Sequence, residues 1–172
     1  MEYSDVIKER FSVRSFKKDP IEKEKLDRIL EAGRIAPTAK NSQPQRFYVL
    51  STEESFKKLG DSRRMAYEAP IVIMVCADME KACKIAIEEG YDTSEMDCSI
   101  AATQMMLEAW NIGVGSVWVR WFNSDNLHRS FNLPKHIKPI LLLTLGYMTD
   151  DCRPREGSHD VKNKIEDEVV YL

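Results

Sequence analysis

No charge of one sign dominates this chain, no cysteine pair is spaced to hold a metal, and no apolar run is long enough to cross a membrane. Each absence removes a class of function. Twenty-five basic side chains against 28 acidic ones leave a net charge of -3, too even for a polyanion binder or a polybasic membrane anchor, so neither nucleic acid nor membrane is an expected partner. Spanning a bilayer takes roughly 20 apolar residues, and the start Met1-Glu2-Tyr3-Ser4-Asp5 has no basic region leading into an apolar one. A cytoplasmic protein is expected. Cys76, Cys83, Cys98 and Cys152 form no C-x-x-C pair, which removes zinc and iron-sulfur spacings and favours reduced thiols over a disulfide framework. Seven glycines and seven prolines are too few for a collagenous or low-complexity chain.

Catalytic motifs are missing as well. Gly113-x-Gly115 lacks the third glycine of a dinucleotide fingerprint and follows a helical stretch instead of opening one, which makes it a helix stop. There is no G-x-x-x-x-G-K, H-E-x-x-H or G-x-S-x-G. His128, His136 and His159 are scattered, with no partner at triad or ligand spacing, and read as solvated or capping imidazoles.

What is present is a globular composition, 43% apolar and 31% charged over 172 residues, enough for one domain. Ser4 reads as the cap of a short helix over 5–9 that buries Val6 and Ile7. Apolar spacing predicts a helix over 21–36, ended by Pro37, then a polar loop and a strand over 46–51. Short helices over 52–59 and 62–68 precede an apolar strand at 71–77, and 80–89 is amphipathic. Ser94-x-x-Asp97 reads as a capping box opening a helix to Trp110 that is apolar nearly all round and needs cover on every side. Strands at 114–119 and 140–147 flank a helix over 124–131. Alternation of this kind, taken alone, suggests a parallel sheet. The apolar end Val169-Val170-Tyr171-Leu172 is expected to dock on something.

Two clusters carry chemistry. In Arg10-Phe11-Ser12-Val13-Arg14, an extended backbone puts two guanidiniums and a hydroxyl on one face, which suits a phosphate with an attached polyol; taken alone, the cluster reads rather as a charged edge strand. Ala36-Pro37-Thr38-Ala39-Lys40-Asn41-Ser42-Gln43-Pro44 places two carboxamides in a proline-bracketed loop, matching the edge of a heterocycle with both donors and acceptors. On its own that loop needs Asn41 only for a turn.

In order and spacing, R-x-S-x-R followed after one helix by A-P-T-x-x-N-x-Q-P resembles the flavin-dependent nitroreductase family. The likeness continues through the central helix 97–110, through Asn111-Ile112-Gly113-Val114-Gly115-Ser116-Val117-Trp118, through Leu145-Gly146-Tyr147 and to the closing pair Arg153 and Arg155. The resemblance implies an α+β fold with a central mixed, mostly antiparallel sheet flanked by helices, and an intertwined homodimer with FMN at the subunit interface. It implies that a symmetry mate covers the apolar helix, with Ala101 and Met105 at the interface, and that 150–172, the extension of a single domain over 1–172, docks on the partner subunit. Arg10, Ser12 and Arg14 match the family's first flavin-binding segment. Thr38, Ala39 and Asn41 match the loop supplied by the other subunit, with Gln43 supporting it. Trp118, Val119 and Arg120 fall where backbone amides approach flavin N5 and O4, Arg64 where a cation stands near N1, and Arg153 and Arg155 near the phosphate.

Phe11 and Arg46-Phe47 depart from the family's usual residues. The chain also lacks the inserted helices that cover the flavin in longer members. The implied activity is electron transfer from NADH or NADPH, through FMN, to a small electrophilic acceptor such as a nitroaromatic or quinone by a ping-pong route that needs no acid or base side chain. The alternative is a flavin-binding or redox-sensing module without physiological turnover.

Overall fold

The structure, a computed structural model, describes residues 1–172. Its helices are α1 (Tyr3–Glu9), α2 (Lys23–Arg34), α3 (Glu53–Leu59), α4 (Ser62–Met65), α5 (Ser94–Asn111), α6 (Ser124–Ser130) and α7 (Ile165–Glu168), and its strands β1 (Gln45–Leu50), β2 (Ile71–Asp78), β3 (Gly115–Val119) and β4 (Ile137–Gly146). The four strands form one antiparallel sheet in the order β1-β2-β4-β3. The parallel arrangement suggested by helix-strand alternation does not occur. Leu50 pairs with Val72, so the α3–α4 connection returns to the end of the sheet it left and makes no crossover. The one parallel pairing is the bridge Ser12–Ser116 on the outer edge of β3.

Every residue of β2 is buried, so both faces of the sheet carry a core. Ile71, Ile73 and Val75 pack with Leu141, Leu143 and Leu145 against Ile29 of α2 and Cys98, Ala102, Met105 and Ala109 of α5. On the other face Val72, Met74 and Cys76 meet Leu142, Val117 and Val119 beneath Leu59, Ala66 and Leu127. Strand periodicity sorts the two sets, apart from a bulge at Val75/Cys76 opposite β4.

Several expectations are corrected. The α1 cap is Glu2, without a side-chain bond, and Ser4 lies inside the helix; only Val6 is buried while Ile7 is exposed. Residues 80–89 form turns that end in the bridge Lys84–Asp92. Of that stretch only Ala82 and Cys83 are buried, and Ile87 stands in solvent. The α5 cap is Thr93, one residue before the expected Ser94. That helix buries one stripe, including Ala101 and Met105, against its own sheet, so these two are not on the outer stripe; Met96 and Ile100 are exposed there instead. Apart from these corrections, the tail residues Val169 to Leu172 are exposed in the single chain, as an extension held by a second copy would be.

Gly146 is the tightest point of the sheet end. A Cβ there would lie 2.7 Å from Phe16 Cδ1 and 2.8 Å from Pro70 Cδ, and a pyrrolidine ring cannot rotate aside. Gly146→Ala is expected to cost about 1–3 kcal/mol, read as a lower urea midpoint. Burial also pushes the Cys98 thiol up to about 12 and the Cys76 thiol higher still from an ordinary 9.0. Both states keep these protons below pH 9, and the unfolded state loses them first above it, so stability falls as pH rises past 9.0. In native protein at pH 8, iodoacetamide is expected to label Cys152, the one thiol that is not buried, and to reach the other three only after unfolding.

Candidate functional site

The segment after α1 is held extended along the outer edge of the sheet. Val13 N–H donates to Ser116 O at 2.9 Å and Lys17 N–H to Tyr147 O at 2.8 Å, while Thr149 Oγ1 donates to Ser15 Oγ at 2.9 Å. Val13 is fully buried, which turns its neighbours Ser12 and Arg14 outward. They meet the chain's closing residues there: Ser12, Arg14, Ser15, Arg153 and Arg155 line a cleft of about 280 Å³ together with Asp151 and Cys152. Arg14 also lies 6.0 Å from the Tyr67 ring, just beyond α4.

The donors of this cleft are largely unspent. Arg14 gives one N–H to Ser12 O, Arg153 gives its bonds to the carbonyls of Asp150 and Cys152, and Arg155 gives none. Arg10 is outside the cleft wall, half-buried and without an acceptor, and burial pushes its guanidinium below the usual value. Three exposed guanidiniums in no ion pair, with Asp151 the one carboxylate on the wall, fit a bound anion, and forked donors beside hydroxyls fit a phosphate ester. The donor set therefore suits the phosphate end of FMN.

The strand edge offers a second polar feature. Ser116 O points outward to Val13, and Val117 N–H points inward to Thr144 Oγ1 at 3.1 Å. Alternation then turns the Trp118 amide to the free edge. Val119 is buried and Arg120 exposed at the strand's end. Arg64 and Arg120 line a separate groove beyond it.

The loop of the second cluster is elsewhere. Gln43 lines a third groove with Arg34, Gln45 and Arg46, and no member of that loop reaches the Arg14 cleft or the Arg64 groove. Ala39–Asn41 forms a 3-10 turn, and Lys40, Asn41 and Gln43 have φ of 52°, 54° and 49°. Asparagine tolerates the left-handed region, whereas Lys and Gln do so at a cost that surrounding contacts must offset. Those contacts are Gln43 N–H to Thr38 Oγ1 at 3.0 Å and Ala39 N–H to Asp97 Oδ1 at 2.9 Å. Ser42 Oγ and Gln45 Oε1 are buried without partners.

Sequence reasoning missed Asp97, which is 2% exposed. It accepts from Thr93 Oγ1 at 2.7 Å as well as from Ala39, so one carboxylate fixes both the start of α5 and the loop. The signal was an acid at the head of an otherwise apolar helix. Both departures also acquire roles. Phe11 packs edge-on against Trp110 at 5.2 Å and His159 at 6.2 Å, holding the tail to α5. Arg46 pairs with Asp78 at 2.7 Å and donates to Gln43 O at 3.0 Å, tying the loop to the end of β2. His128 meets the Pro134 carbonyl at 3.0 Å beyond α6.

Comparison with known proteins agrees with this geometry. The family model described as the nitroreductase family matches residues 7–64 and 62–147. The chain is similar to a nitroreductase family protein of Clostridium difficile 630, with 35% identity, a TM-score of 0.90 and coverage of 99% of this chain and 98% of that one. An FMN-dependent nitroreductase of Clostridium difficile R20291 superposes with a TM-score of 0.79 at 26% identity, covering 98% of each chain. A Bacillus subtilis (strain 168) protein named as an NAD(P)H FMN reductase is 28% identical, covering 81% of this chain and 63% of its own length.

Removing the Asp97 carboxylate strands the Ala39 N–H and the Thr93 hydroxyl. Asp97→Ala is expected to cost about 1–3 kcal/mol and to speed amide exchange over residues 38–43. Asp97→Asn keeps an acceptor oxygen for Ala39, and its exchange should stay near that of the unaltered chain.

Proposed function

Because the chain belongs to the nitroreductase family, we propose that it is an FMN-dependent oxidoreductase that draws electrons from NADH or NADPH and passes them to a small electrophilic acceptor. The observation that carries this reading is the cleft in which Arg14, Arg153 and Arg155 gather without an ion pair among them, in a chain whose net charge is -3. FMN held there would supply the two-electron chemistry that links a nicotinamide donor to the acceptor.

The chain's own residues bind and orient. Arg14, Arg153 and Arg155 would take the phosphate through their forks, and Ser12 the polyol. Arg10, already short of water, gains more from an anion than an exposed guanidinium would. The Trp118 amide, unused by β4, is free to donate to a heterocycle, and the two residues after it, Val119 and Arg120, carry the chain away from the strand edge. Arg64 and Arg120, neither of them in an ion pair, raise the local potential and favour a ring that gains negative charge.

The working unit in this reading is a homodimer. Three features support it. Met96 and Ile100 are 49% and 41% exposed on the outer stripe of α5. Residues 150–172 end in four apolar side chains left in solvent, which suits an extension that docks on a second copy. Thr38, Ala39, Asn41 and Gln43 belong to a loop with unpartnered buried polar atoms, away from the cleft of its own chain; the loop of a second copy would complete the site. No helix is long and apolar enough to cross a membrane, and residues 1–172 are read as one domain.

Purified protein is expected to be yellow, to release FMN on denaturation and to oxidise NADH or NADPH when a quinone or nitroaromatic is supplied. Arg14→Ala and Arg155→Ala remove exposed side chains, so the apoprotein's thermal midpoint should hold while FMN affinity falls. The loss is about 1.5–3 kcal/mol per charged hydrogen bond, measured by flavin fluorescence titration. A colourless protein that takes up no added FMN overturns the reading.

A further inference from the structure

We infer that the groove between α4 and α6 takes the phosphate-bearing nucleoside half of the electron donor, and that it favours NADPH over NADH. This rests on the oxidoreductase reading above for the identity of the donor. The groove measures about 910 Å³ and runs from the α3–α4 turn to the segment between β3 and α6. That volume suits an organic ligand of nucleotide size better than a single ion.

Its charge is one-sided. Arg64, Arg120 and Arg129 line it, and none of the three pairs with a carboxylate. Arg64 donates to nothing, Arg120 gives one N–H to Phe122 O at 3.3 Å, and Arg129 gives one to the Asn126 side chain. Lys58, also on the wall, is occupied by Glu54 at 2.8 Å. Asp61 is the only acid on the wall. Three free forks exceed what one phosphate group requires. Both dinucleotides carry a pyrophosphate, two phosphate groups for two of the forks, and NADPH adds a monoester worth about -1.5 to -2 charges that gives the third fork a phosphate of its own.

The groove also carries a stacking surface. Trp121 is 77% exposed on its wall, an indole left in water beside guanidiniums. A purine has a π-face that stacks on an indole irrespective of its edge pattern. The Arg120 guanidinium is itself laid over the Phe122 ring at 4.7 Å, which orients its fork. Aromatic face and cations together describe a phosphorylated nucleoside. Arg64 and Arg120 belong both to this groove and to the set proposed for the flavin, so a donor held here adjoins the flavin end of the site.

The test uses FMN-loaded protein and two probes, adenosine 2′,5′-bisphosphate and adenosine 5′-monophosphate, followed by titration calorimetry and tryptophan emission. The bisphosphate is expected to bind about tenfold tighter or more and to quench emission, with the quench lost in Trp121→Phe. Arg129→Ala should lower bisphosphate affinity about tenfold and raise KM for NADPH more than KM for NADH, with FMN content unchanged. Equal affinities for the two probes, or a bisphosphate affinity that survives Arg129→Ala, would overturn the inference. The two readings fail separately. Bisphosphate binding by a protein that oxidises neither dinucleotide would uphold the groove and remove the activity, whereas equal kcat/KM for NADH and NADPH without bisphosphate binding would do the reverse.

Discussion

Eight consecutive buried residues in β2 dictate the rest of the molecule. A strand with no wet face must be paired on both edges and covered on both faces. β1 and β4 supply the edges. α2 and α5 cover one face and α3, α4 and α6 the other. Polar chemistry is thereby expelled from the middle of the sheet to its perimeter, where strand ends, connecting loops and the two termini meet. Each group assigned to binding lies on that perimeter.

The outer edge of β3 shows how the perimeter is used. An outermost strand exposes amides that invite unwanted pairing. The chain caps this edge with one bridge at Ser12–Ser116 and leaves the Trp118 amide free. Around that gap the arginines form no ion pair, with Asp151 and Asp61 the only acids on the two walls, although acids outnumber bases in the chain, 28 to 25. Elsewhere the same side chains are neutralised at ordinary distances, as in Arg28–Glu108 at 2.6 Å and Arg34–Glu31 at 2.6 Å. The unpaired arginines are thus a property of place and not of composition.

Much of this was legible in the sequence, for identifiable reasons. Ser12 and Arg14 share a face as their spacing suggests, because Val13 must be buried and a period of two then sends them outward, whereas Arg10 stays at the end of α1, outside the cleft. The core strands were evident from continuous apolar runs. Residues 80–89 misled because periodicity records a face and not whether anything covers it. In α5, an all-round apolar composition could not say which stripe faces the chain's own sheet; Ala101 and Met105 do, because their small or flexible side chains admit close packing beneath α2. Asp97 was placed in a capping box, yet its two partners come from Thr93 and from Ala39, 58 positions away. Arg46 looked like a departure until Asp78 and Gln43 O were seen beside it. Trp121 follows a buried strand in the run Trp118-Val119-Arg120-Trp121-Phe122, and three aromatics around one cation there were a usable sign of a binding wall.

The cleft at Arg14 and Arg155 joins the two ends of the polypeptide. Lys17 meets Asp150 across 133 positions and Thr149 meets Ser15 across 134, among the longest loop closures this chain makes. Contacts of such separation are costly to close early. Loop-closure cost alone would let the sheet core form before the first seventeen residues settle along β3, which makes the cleft an expected late step of folding. If the clasp forms after the transition state, an anion seated there acts only on the native side of the barrier. Its occupancy would slow unfolding and leave the folding rate nearly unchanged, so the ligand would set the lifetime of the native chain more than the speed at which it is reached.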